Sequence, residues 1–291
     1  MTHPNETRVE VTAFFDEASH TLSYVVQDPD GAACAVIDPV LDFDYAAGRI
    51  ATEQAERIVA HIEQRGLELA WIVETHVHAD HLSAAPWLQQ RLGGRIGIGS
   101  GITVVQDTFG KVFNEGCEFQ RDGSQFDALF EDDDRYTIGT IEARVMHTPG
   151  HTPACTVHLI GDAAFVGDTL FMPDGGTARA DFPGGDAGQL YDSIQRVLAL
   201  PEATRLFMCH DYGPNGREIR WETTVGEERE HNIHVGRGTS REAFVSLRTE
   251  RDATLKMPGL IIPSLQVNMR AGRLPRDEQG SPTLKVPLNG L

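Results

Sequence analysis

Near the start of the chain, apolar residues recur in short runs. Val9 to Phe15, Thr21 to Asp28 and Ala32 to Val40 read as strands separated by turn residues. The spacing then changes. Across Thr52 to Gln64, the apolar positions Ala55, Ile58, Val59 and Ile62 fall on one face of a helix, with Gly66 as its stop. Leu67 to Glu74 is again apolar and rich in β-formers, and helices follow at about 84 to 92, 102 to 113 and 187 to 199. Ser83 is the expected cap of the first of these, with Pro86 tolerated in its first turn. Further strands are expected over Thr140 to Met146, Ala163 to Gly167 and Arg205 to Cys209. Beyond them come helices over Val225 to His231 and Ser240 to Arg251, then a Pro-rich finish.

Polar chemistry gathers where the strands end. Thr75-His76-Val77-His78-Ala79-Asp80-His81 places three imidazoles and a carboxylate on a strand-to-helix loop. In an extended segment residues i and i+2 face the same way, which aims His76 and His78 together while Asp80 and His81 arrive from the bend. Imidazole and carboxylate are the usual ligands of zinc and iron, so the loop reads as a metal site. His147 follows a strand-like run within His147-Thr148-Pro149-Gly150-His151-Thr152; Asp168 and His210 each end an apolar run in the same manner.

Composition narrows the function. With 43 acidic residues against 25 basic ones, the formal charge of −18 repels nucleic acid and anionic membranes, and neither is expected as a partner. The acidic run Glu131 to Asp134 reads as a solvated loop. No apolar stretch is long enough to span a bilayer, and the polar segment Met1 to Glu10 is unlike a secretory signal. Cys34, Cys117, Cys155 and Cys209 lack a C-x-x-C spacing, so a reducing, cytoplasmic location is expected. Cys209 neighbours His210, but a metal-centred reaction leaves it no catalytic task.

The series H-x-H-x-D-H, histidine, aspartate, histidine, each at a strand end, resembles the metallo-β-lactamase superfamily over at least residues 20 to 212. The resemblance implies an α/β fold, an αββα sandwich of two mixed sheets flanked by helices with the metal site at one edge. A catalytic domain over 1–235 and a C-terminal extension over 236–291 is the simplest partition. Met257 to Pro263 is expected to pack on the core or on a second subunit, which leaves a homodimer open.

Finer motifs select among the activities this fold hosts. Arg179-Ala180-Asp181-Phe182, His210-Asp211-Tyr212 and Asn268-Met269-Arg270-Ala271-Gly272 together look like the persulfide dioxygenases, extending the resemblance to about residue 272. What it implies is oxidation of glutathione persulfide by O2 to sulfite and glutathione, at one Fe(II) per chain held by His76, His147 and Asp168. Two histidines and a carboxylate leave three iron positions open for sulfur and oxygen. His78, Asp80, His81 and His210 would then orient the ligands, and the Tyr212 hydroxyl would reach the persulfide. Arg179, Arg217, Arg220 and Arg270 are candidates for the glutathione carboxylates.

The same residues also fit related hydroxyacylglutathione hydrolases. There His76, His78, His147 and Asp168 would hold one metal, Asp80, His81, Asp168 and His210 a second, and a bridging water would attack a thioester. R-x-D-F and N-M-R-x-G favour the dioxygenase. A binding protein on a dead scaffold of this kind is disfavoured because every ligand is present. Ala271 and Thr177 stand where dioxygenases of the mitochondrial type carry cysteines, so the chain looks more like a bacterial subgroup.

Overall fold

The computed structural model describes residues 7–290; the first six residues of the polar amino-terminal segment lie outside them. One six-stranded sheet runs in the order β1 (Glu10–Asp16), β2 (Thr21–Gln27), β3 (Ala33–Ile37), β6 (Glu68–Val73), β8 (Arg95–Gly99) and β9 (Ala128–Phe130). The other keeps chain order: β10 (Arg135–Ile138), β11 (Ile141–His147), β12 (Thr156–Ile160), β13 (Ala163–Phe165), β14 (Arg205–Phe207) and β15 (Glu222–Thr224). Both are mixed. The pairs β3·β6, β6·β8, β8·β9 and β13·β14 are parallel, and the remaining pairs within the two sheets are antiparallel. A small sheet of β5 (Arg49–Ala51), β4 (Val40–Asp44) and β7 (Leu82–Ser83) flanks them.

Strand periodicity explains the layering. Leu22, Tyr24 and Val26 of β2, with Ala35 and Ile37 of β3, face the second sheet and pack with Val145, Phe165 and Phe207. The alternate residues Val25, Cys34 and Val36 face outward onto α1 (Glu53–Arg65), α2 (Ala85–Leu92), α3 (Ile102–Val112) and α7 (Ile261–Asn268). Behind the second sheet, Val157, Leu206 and Met208 meet Leu190 and Ile194 of α4 (Ala187–Leu198), Val225 of α5 (Val225–His231) and Phe244 of α6 (Arg241–Asp252). Strands buried on both faces therefore read as continuous apolar runs. The result is the expected αββα sandwich.

Three local readings change. Ala32 to Val40 is not one strand: the chain turns at Asp38, whose φ is +49°, and restarts as β4 after Pro39. Ala84 rather than Ser83 precedes α2, although the Ser83 hydroxyl still accepts from the Ala85 N–H at 3.0 Å. The Pro-rich tail contains α7, with Pro263 in its first turn, where the missing N–H has no intrahelical partner to lose. Ile261, Leu265, Val267 and Met269 of that segment lie buried in the core.

Candidate metal centre and its cavity

The loop after β6 is set by buried Asp38. Its carboxylate accepts from the Thr75 N–H at 2.7 Å and the Thr75 hydroxyl at 2.8 Å, and lies 2.9 Å from His78 Nε2. With Nε2–H turned to Asp38, the Nδ1 of His78 is left buried without a hydrogen-bond partner. In His76 the Nδ1 lies 3.0 Å from the Thr75 hydroxyl, and it is Nε2 that is buried and unpartnered. Burial, reinforced by the neighbouring His78 and His151 rings, pushes His76 well below its ordinary pKa. It is therefore neutral, with a free lone pair.

Asp168 lies in a tight turn after β13, where Gly167 has a φ of +51° and a Cβ would come within 2.6 Å of the Thr75 hydroxyl. Its Oδ2 lies 3.9 Å from His76 Nε2 and 3.5 Å from His151 Nε2. Its Oδ1 is buried without a hydrogen bond, 3.4 Å from His210 Nε2. Asp80 Oδ2 in turn lies 3.5 Å from His210 Nε2 and 3.3 Å from His81 Nδ1, while His81 Nε2 has no partner. Burial opposes ionisation of Asp80, but His210 and His81 hold its pKa well below the usual carboxylate range. Donor atoms about 2 Å from a shared ion stand roughly 3–3.5 Å apart, close to these separations. The unpartnered atoms of His76 and Asp168, grouped with His151, and of His78 and His81, grouped with Asp80, are what bound metal would satisfy.

His147 is a correction. It is the last residue of β11, paired with Thr156, and its Nε2 lies 3.1 Å from the Phe130 carbonyl. The Pro149-Gly150 turn carries the chain onward, and His151 is the histidine brought to His76 and Asp168. Gly150, with φ +139°, permits this because a Cβ there would meet the Leu190 backbone nitrogen at 2.2 Å. The H-T-P-G-H sequence holds both histidines; only the length of the turn decides between them.

The centre opens into a cavity of about 500 Å³ lined by Asp80, His151, Asp168, His210, Tyr212 and Phe182 on the metal side. Tyr212 is 57% exposed and stacks on His210 at 6.0 Å. Of the four expected substrate arginines, only Arg179 lines the cavity, and it forks onto Asp181 at 2.6 and 2.7 Å. Arg217 is engaged by Asp174 and Asp211. The Arg220 backbone N–H caps Asp211, and Arg270 pairs with Glu115 at 2.9 Å over the Phe119 ring. None of these three borders the cavity. The cations that do were missed: Arg248, Arg251 and Lys256, at the end of α6 and just after it. Their signal was the basic end of a helix whose partner surface only folding reveals.

The N-M-R-x-G segment acts from behind. The Asn268 amide donates to the carbonyls of His78 and His81 at 2.8 Å each, and its oxygen accepts from the Ser83 N–H at 2.8 Å. Cys209 is buried with its thiol 3.7 Å from Asp38, and burial pushes its pKa up. It is not a thiolate nucleophile.

Five histidines and two aspartates at the edge of an αββα sandwich define a metal-dependent enzyme centre. The chain belongs to the metallo-β-lactamase superfamily, whose model matches residues 17–210. It is 54% identical to a probable metallo-hydrolase of Burkholderia pseudomallei over 97% of this chain and 99% of that one. It is 46% identical to Glyoxylase B2 of Dictyostelium discoideum over 99% of both. Human mitochondrial persulfide dioxygenase ETHE1 is 30% identical over 89% of this chain and 87% of that one. The crystal structure of ETHE1 from Myxococcus xanthus superposes with a TM-score of 0.73 at 30% identity, covering 91% of this chain and 100% of the other. Some relatives at 51–52% identity are longer, and the chain spans 65% of their length. Among the described residues no helix is long and apolar enough to cross a membrane.

Proposed function

We propose that the protein oxidises glutathione persulfide with O2 at a single Fe(II) held by His76, His151 and Asp168. The observation that carries this reading is the group of two histidines and one carboxylate, with His151 and Asp168 facing the cavity. Glutathione persulfide, O2 and water give glutathione, sulfite and two protons. When bound, iron supplies open positions and electrons that bring persulfide sulfur and oxygen to react. The protein contributes placement. Tyr212 is positioned to donate a hydrogen bond to the sulfur, and Phe182 and Phe171 wall the site against water. Arg251 and Lys256 at the rim attract the substrate carboxylates in a chain whose overall charge repels them. The likeness to the two ETHE1 proteins supports the chemistry.

A second reading has its own support. Asp80, His81 and His210 gather on the other side of Asp168, as a second metal would require, and a relative 46% identical is named Glyoxylase B2. Two metals sharing Asp168 would direct a bridging hydroxide at a thioester carbonyl. Elemental analysis after anaerobic preparation, with an oxygen electrode run on glutathione persulfide and on a lactoylglutathione-type thioester, separates the two. About one iron per chain, with oxygen uptake and sulfite formation, is expected. Two metals per chain, or thioester turnover without oxygen loss, overturns the dioxygenase reading.

A further inference from the structure

The metal-side histidine His151 is steered by an ion pair on α6, through one peptide unit. His151 Nδ1 lies 2.7 Å from the Arg179 carbonyl oxygen, so the ring donates there and presents Nε2 to the metal group. The next N–H of the same peptide, that of Ala180, donates to Asp252 Oδ2 at 2.9 Å. The other oxygen of Asp252 is gripped by Arg248, at 2.8 Å from Nε and 2.6 Å from Nη2, and both side chains are buried. Arg248 Nη1 also donates to the Thr177 carbonyl at 3.1 Å. Nearby, Asn232 donates to the Gly176 carbonyl at 3.0 Å and His234 Nδ1 accepts from the Thr177 N–H at 3.0 Å. The segment is thus tied at Gly176, Thr177 and Ala180 to α6 and to the residues that follow α5.

We infer that Asp252, locked by Arg248, is a positioning residue for His151: it fixes the Arg179–Ala180 peptide and through it the ring orientation and tautomer. A ligating histidine commonly gives its second N–H to a carboxylate or a carbonyl. Here both occur in series, with the peptide between them, and hydrogen bonds in series polarise one another. The device explains why the R-x-D-F segment and a helix some hundred residues beyond His151 belong to one metal centre. It rests on His151 being a ligand.

Removing Asp252 alone would strand a buried guanidinium, so the pair is replaced together by Arg248→Met/Asp252→Leu, a swap that buried ion pairs tolerate. Zinc(II) is titrated into the full-length protein against a chromophoric chelator. The imidazole nitrogens of the metal-free protein are read by 15N NMR, and its unfolding is followed by urea. The expected result is zinc affinity lowered by about 10–100-fold, with His151 changed from a single Nδ1–H tautomer to a mixture. Arg248→Met/Asp252→Asn restores an acceptor for the Ala180 N–H and should recover most of both. A fall in urea stability with zinc affinity and tautomer unchanged would make the pair merely structural and overturn the proposal. Should His151→Ala bind zinc as tightly as the wild type, the ligand assignment itself fails instead.

Discussion

Asn268 links the carboxy-terminal segment to the metal loop, and its removal should be costly out of proportion to its size. Asn268→Ala leaves three buried backbone groups without partners: the carbonyls of His78 and His81 and the N–H of Ser83. A neutral hydrogen bond contributes about 1 kcal/mol net, and a buried group left unpaired costs about 1–3 kcal/mol. Three such groups give about 3–9 kcal/mol, with the lower end applying if water enters the vacated space. Urea unfolding of the metal-free protein measures this directly. Because both carbonyls belong to residues beside or within the ligand set, zinc affinity of the folded variant should also fall by about 10-fold or more. Asn268→Asp keeps the acceptor for Ser83 but turns a carboxylate onto two carbonyls, so it should not rescue. A loss below about 1 kcal/mol with unchanged zinc affinity would refute the clamp.

Other outcomes follow from particular contacts. His151→Ala should purify with its metal depleted, whereas His147→Ala, whose ring faces the Phe130 carbonyl, should keep it; elemental analysis of both variants decides. Replacing Arg251 and Lys256 by serine should raise KM for an anionic substrate several-fold with little change in kcat, and a kcat loss alone would contradict their place at the rim. Burial, only partly offset by the Asn232 hydrogen bond, pushes Glu228 up to about 8 from 4.5. The folded state keeps a proton that the unfolded chain releases, so this stability is present below about pH 4.5 and is lost as pH rises through about 8. The shift corresponds to on the order of 4–5 kcal/mol. Glu228→Gln should match the wild type near pH 4 and exceed it near pH 9, and parallel stability curves would count against the buried acid.

The sequence by itself determined the layers and most of the residues gathered at the candidate metal centre. The continuous apolar runs of β2 and β3, the helical face of α1 and polar residues at strand tips are local signals, because strand and helix geometry fix which neighbours share a side. His76, His78, Asp80 and His81 were legible since one loop carries them all. The choice between His147 and His151 was not: it depends on how far the Pro149-Gly150 turn advances before α4 blocks it at Leu190. Nor could spacing show that Arg217 and Arg270 are held by Asp211, Asp174 and Glu115, while Arg251 and Lys256 reach the cavity. A long side chain takes its role from the nearest unpaired charge, and chain positions far apart in sequence supply it. Asn268 illustrates the same limit: the residue that holds the metal loop lies 190 positions beyond His78, on a helix that acquires its function only on docking.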